Sequence, residues 1–164
     1  MDEKYKSEDE IIALVNSFED ASIARGVWKH GEHLVVALYY VSKYDLETAI
    51  ARMRDGLFNL LVEGFKVDLT KEMPYHETMT VFWMRTVNDF ARENSSLSLT
   101  EKANILIMRY DKDYPLKFYS REVLFSDRAR KAFIQPDLGP MPVSAAEIDA
   151  LPSYQLHYLH SQEN

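Results

Sequence analysis

Along the first two thirds of the chain, apolar residues return every three or four positions, the spacing of helices that bury one face. Ile11, Ile12, Leu14, Val15 and Phe18 make the first stripe. They follow Ser7-Glu8-Asp9-Glu10, which has the Ser-x-x-Glu spacing of a capping box, and this helix is expected to end near Asp20. Arg25-Gly26 marks a break before Trp28. From about His30 to Lys43 the pattern is apolar nearly all round, with Leu34 to Val41 unbroken. Such a run also fits a buried strand, but its neighbours are helical and nothing else supplies a sheet partner, so a second helix is expected. Asp45 is a good N-cap for a third, in which Leu46, Ile50, Met53, Leu57, Leu60 and Leu61 recur up to Gly64. Gly56 inside it costs about 1 kcal/mol against alanine, which suggests either the close approach of another helix, the commoner reason, or plain tolerance. A fourth helix opens after Pro74 and runs to about Glu93, with His76, Thr80, Trp83, Val87 and Phe90 on one face. That places an imidazole at the top of a core-facing stripe. Ser98-Leu99-Thr100-Glu101 is a second capping box, for a helix through Ile105, Leu106 and Met108 that should stop near Tyr110.

The last third has a different texture. Pro115 to Tyr119 reads as extended, and Ser120 and Ser126 are suited to cap two short helices. Pro136, Pro140 and Pro142 then prevent any regular element, which predicts an irregular segment wrapped around the helices. Ser144 to Glu147 caps a final turn or two ending at Leu151-Pro152. The expected fold is all-α: a four- to five-helix bundle with a Pro-containing C-terminal wrap, one domain over residues 1–152, and a loosely held tail over 153–164.

Composition narrows the chemistry. A chain of 164 residues suits one core, and a formal charge of −7 disfavours a nucleic-acid surface, which needs a basic stripe. The acidic start and the lack of a long apolar run argue against a signal peptide or a membrane anchor, so a cytoplasmic location is expected. Without cysteine there are no disulfides, thiolate nucleophiles, zinc fingers or iron–sulfur ligands. Any metal must be held by histidine and carboxylate.

Short connections between the second, third and fourth helices make them antiparallel, which gathers the start of the second, the end of the third and the start of the fourth at one end. His30, His33, Glu63, Tyr75, His76 and Glu77 then become neighbours. Three chemistries suit this cluster. His30, His33 and His76 with Glu77 or Glu63 could hold a divalent metal as cofactor, although no Glu-x-x-His pair of the di-iron kind is present. Two helix N-termini could instead hold an anion, assisted by Arg52, Arg54 or Arg121. Third, the histidines could be buried polar residues bonded to backbone, to Tyr75 or to Thr80.

Trp28-Lys29-His30-Gly31-Glu32-His33-Leu34, Tyr75-His76-Glu77-Thr78-Met79-Thr80, Ser120-Arg121, Leu124-Phe125-Ser126, Ala129-Arg130 and Pro136-Asp137-Leu138 together resemble a family of bacterial helical proteins with no established activity. The similarity runs from about Trp28 to Leu138, and Glu32 departs from the small residue that the family pattern has there. The resemblance implies that Tyr119, Ser120 and Arg121 belong with the histidine end, and it assigns no role to any residue. A more distant comparison, with metal-dependent four-helix bundles of the DinB type, fails because their His-x-x-x-His pair is missing.

The reading that emerges is a small-molecule-binding protein or enzyme with a polar pocket at one end. His76 and His33 are the expected catalytic residues. Trp28, Tyr75, Thr80, Tyr119 and Arg121 are the expected ligand contacts, and His30, His33, His76 and Glu77 the expected metal ligands. The alternative is a non-catalytic homodimer through an exposed helix flank, in which the histidines are structural.

Overall fold

A computed structural model describes residues 3–140; the turn expected at Ser144 to Glu147, Pro142 and the tail 153–164 lie outside the described residues. The fold is all-α, and no strand occurs among the described residues. Five longer helices come first: α1 (Glu8–Glu19), α2 (His30–Lys43), α3 (Leu46–Asn59), α4 (Glu77–Glu93) and α5 (Leu99–Arg109). Two short ones follow, α6 (Arg121–Leu124) and α7 (Asp127–Lys131). No helix among the described residues is long and apolar enough to cross a membrane.

The caps account for the helix starts. Ser7 Oγ accepts from the Glu10 amide, Asp45 from Thr48, Ser120 from Val123 and Ser126 from Ala129. At α5 the capping box is closed in both directions, Ser98 to Glu101 and back. Residue 115 is not extended as its proline suggested: Tyr114–Lys117 forms a 3₁₀ turn, in which Pro115 occupies a first-turn position where its missing N–H costs nothing.

α2 is apolar all round because it is central, packed by α1, α3, α4 and α5 on successive faces. Leu34, Val35, Val36 and Leu38 are almost fully buried. Gly56 of α3 is explained by α1: a Cβ there would lie 2.3 Å from Cε2 of Phe18, so only glycine lets the ring sit against the helix. The α3 helix widens into a π turn at Leu60–Gly64, and Gly64 lies against the Ala21 carbonyl, 2.8 Å from where a Cβ would stand. Beyond it, residues 65–76 carry no helix before α4.

A second, smaller core of Phe82, Tyr119 and Leu124 lies under the C-terminal part of the described chain. Thr78, fully buried on α4, fastens that part: its hydroxyl donates to the Ala132 carbonyl (3.1 Å) and accepts from the Ile134 amide (3.2 Å). Tyr119 donates to the Ile134 carbonyl, the Ser120 amide to Asp137, and the Leu138 amide to the Phe118 carbonyl. Thr78→Val keeps the shape and removes both bonds, leaving the part-buried Ile134 N–H and Ala132 C=O without this partner. We expect a loss of about 1–3 kcal/mol in urea unfolding. An unchanged midpoint would show that the segment does not depend on this hydroxyl.

Candidate functional site

A cavity of about 440 Å³ opens where the start of α2, the π turn after α3 and the start of α4 meet. Protein interiors hold few voids larger than a water molecule, whereas ligand sites fall in the range of roughly 300–1,000 Å³. Its wall is mainly apolar: Leu34 and Ala37 from α2, Met53 and Leu57 from α3, Leu60 and Leu61 from the π turn, Met79, Trp83 and Met84 from α4, with Phe65 and Trp28 from the loops. The polar contributors are His30, His33, His76, Tyr75, Thr80 and two lysines, Lys29 and Lys112. The expected convergence of the three histidines at one end is what the structure shows.

Each histidine is held differently. At His33, Nδ1 donates to the Lys29 carbonyl one turn back (2.9 Å), so in the neutral ring Nε2 is the unprotonated acceptor. Nε2 has no partner among the described residues. The ring is tilted against Trp28 at 4.2 Å and keeps surface facing the cavity. Enclosure pushes its pKa down to about 4, because burial disfavours the cation. The Lys29 carbonyl opposes that shift, and His30 adds to it. At pH 7 the ring is therefore a neutral hydrogen-bond acceptor.

His30 donates through Nε2 to the Tyr110 carbonyl (3.0 Å) and lies edge-on to Trp83. His76 is not the first core-facing residue of α4. Its backbone is extended (φ −135°, ψ 103°), α4 begins one residue later, and the ring is the N-cap. Its Nδ1 accepts from the Met79 amide (3.1 Å) and Nε2 donates to the Leu124 carbonyl (2.6 Å). Both nitrogens are committed, which leaves neither for proton transfer or metal ligation. Burial holds its pKa below the ordinary histidine value; the Leu124 carbonyl opposes that and the Arg130 charge reinforces it.

Glu77 does not line the cavity. Its carboxylate takes a bidentate bond from Arg54 (3.0 and 2.7 Å) and the Tyr75 hydroxyl (2.5 Å), which ties α3 to α4. Burial alone would raise its pKa, but these bonds outweigh burial and hold it below the usual range. Tyr75 is correspondingly pushed up to about 12, by burial first and then by the Glu77 carboxylate. Among the described residues no group of three or more histidine or acidic side chains is placed to hold a metal ion. Of the expected ligand set, His76 is held by a cap and a backbone carbonyl and Glu77 by an ion pair, while His30 and His33 each have one ring nitrogen bonded to a backbone carbonyl.

Of the other expected contacts, Trp28, Tyr75 and Thr80 line the cavity. Thr80 donates back to the His76 carbonyl, so its hydroxyl hydrogen is spent within the helix. Tyr119 and Arg121 do not line it: Tyr119 is fully buried in the second core, and Arg121 is exposed at the first position of α6. Neither Arg52 nor Arg54 lines it; Arg52 stacks over the Tyr44 ring at 4.2 Å. Lys112 was not legible as a site residue, because nothing in the Asp111 to Pro115 turn marks it. Only the path of the turn brings it to the cavity.

Glu32 is half of the cap at α2. It is buried, accepts from the Lys29 amide (3.1 Å) and pairs with Lys4. Burial raises its pKa, and the Lys4 contact and the backbone bonds overcome that to leave it lowered.

Comparison of the chain with protein-family models, with curated proteins and with solved structures returned no match.

Proposed function

We propose that this protein binds a small, largely apolar organic molecule in the cavity between α2, α3 and α4. The observation that carries this reading is the wall: an apolar chamber of about 440 Å³ whose aromatic and aliphatic side chains stay only partly buried on the side facing it. Trp28, Leu57, Leu61, Phe65, Met79 and Trp83 all keep such surface. Filling the chamber would take that surface out of water, at roughly 25 cal/mol per Å². His33 Nε2 adds one directional acceptor in an otherwise apolar wall, and an occupant with an O–H or N–H can satisfy it.

The chain contains two tryptophans, and both line the cavity. Titration with the neutral probe N-phenyl-1-naphthylamine should therefore give saturable, one-to-one binding, seen as probe enhancement with loss of tryptophan emission. Ala37, 2% exposed and on the wall, is the position from which to fill the chamber. Ala37→Leu should weaken probe binding at least about tenfold while the helical signal persists. Linear, non-saturating uptake, or unchanged binding in the filled variant, would remove the reading.

A further inference from the structure

We infer that the occupant is an amphipathic organic acid, with its apolar body in the chamber and its single anionic head between Lys29 and Lys112. The inference rests on the proposed binding of a small molecule in this cavity and names its charge. The protein as a whole is acidic, with 26 Asp and Glu against 19 Lys and Arg. The cavity reverses that balance: it is lined by two lysines and by no aspartate or glutamate. Carboxylates do lie near in sequence, and none of them lines the cavity: Asp111 and Asp113 flank Lys112 on the exposed turn, where Asp111 accepts from the Asp113 amide (2.9 Å). Glu77 is held by Arg54 and Tyr75, and Glu32 by Lys4 and the Lys29 amide.

Neither lysine is spent on a partner among the described residues: neither the Lys29 nor the Lys112 ammonium makes an ion pair or a hydrogen bond with a protein group there. Both lysines are exposed, as is Pro74, whereas the rest of the lining is buried or half-buried; these residues mark the mouth. Charge is therefore met at the rim and apolar surface within. An ammonium at the rim can reach an anionic head and keep contact with water, which avoids the cost of burying an unpaired charge. A cationic occupant would face two like charges, and a neutral one would leave them unused. Neutral His33 adds no charge at pH 7, so the anionic head is assigned to the two lysines.

The test is displacement of bound N-phenyl-1-naphthylamine by three probes of one chain length: decanoate, 1-decanol and decyltrimethylammonium, all below their micellar concentrations. We expect decanoate to bind about tenfold or more tightly than decanol, with the cation weakest. Lys29→Ala and Lys112→Ala should each weaken decanoate about threefold to tenfold and leave decanol unchanged, and the double variant should bring the two together. Both lysines are exposed, so these variants should fold as the parent does. Equal binding of decanoate and decanol would overturn the inference while leaving the apolar site intact. So would a preference for decanoate that both lysine variants keep. If the naphthylamine itself does not bind, the reading of the cavity falls first, and this one with it.

Discussion

Replacing Phe18 with alanine is expected to cost about 3–5 kcal/mol, the largest single-residue loss of stability foreseen for this fold. The ring is fully buried, stacks on Trp28 at 4.9 Å with 17° between planes, and reaches Tyr40 at 6.4 Å. It also fills the notch at Gly56, so one side chain joins α1 to α2, α3 and the cavity wall. Trp28 loses its backing in the variant, and its emission should shift to longer wavelength in the folded state. Gly56→Leu alone should also destabilise, since its side chain must enter the space of the ring. Combined with Phe18→Ala, it should cost clearly less than the two single losses added, because the new side chain occupies the vacated volume. Guanidinium unfolding of the four proteins measures this. Strict additivity would show that ring and glycine do not share one space.

Acid should weaken the fold through His33. In the unfolded chain the imidazole takes up its proton near pH 6.5, and in the folded chain only near pH 4. Between those values the unfolded state holds the extra proton, so the stabilising contribution is complete above pH 6.5 and is lost as pH falls toward 4. A gap of that size corresponds to about 3 kcal/mol, with a slope of about 1.4 kcal/mol per pH unit. His76, also held below the ordinary value, acts in the same direction: protonation of Nδ1 would remove the acceptor that caps α4. Urea unfolding at intervals from pH 7.5 to 4.5 reads the slope. His33→Leu should flatten much of it, and a slope unchanged in that variant would locate the acid sensitivity elsewhere.

Much of this architecture was legible because the rules involved are local. Ser7, Asp45, Ser98, Ser120 and Ser126 announce helix starts by chemistry that acts over three residues, and each is a cap in the structure. The convergence of His30, His33 and His76 was legible as well, because antiparallel packing of three helices leaves little choice of end. α4 starts two residues later than Pro74 suggests, for a definite reason: histidine is not among the common capping residues, so periodicity runs a helical face through it. Its commitment to Leu124, 48 positions away, has no local trace. The same holds for Glu77, whose partner Arg54 lies on another helix, and for Lys112, which reaches the cavity only through the tertiary path of a turn. What periodicity supplies is which face is buried. Which polar groups satisfy one another across that face depends on atoms far apart in the chain.

Position 76 shows what such double commitment does to the freedom of a sequence. Serine or asparagine could supply the cap to Met79, and glutamine has the reach for a distant carbonyl, yet the imidazole does both with one rigid ring. Any replacement must give up either the first turn of α4 or the hold on Leu124. The site should therefore resist substitution even where neighbouring wall residues drift among similar apolar side chains, and a histidine here marks the architecture of the pocket rather than its chemistry.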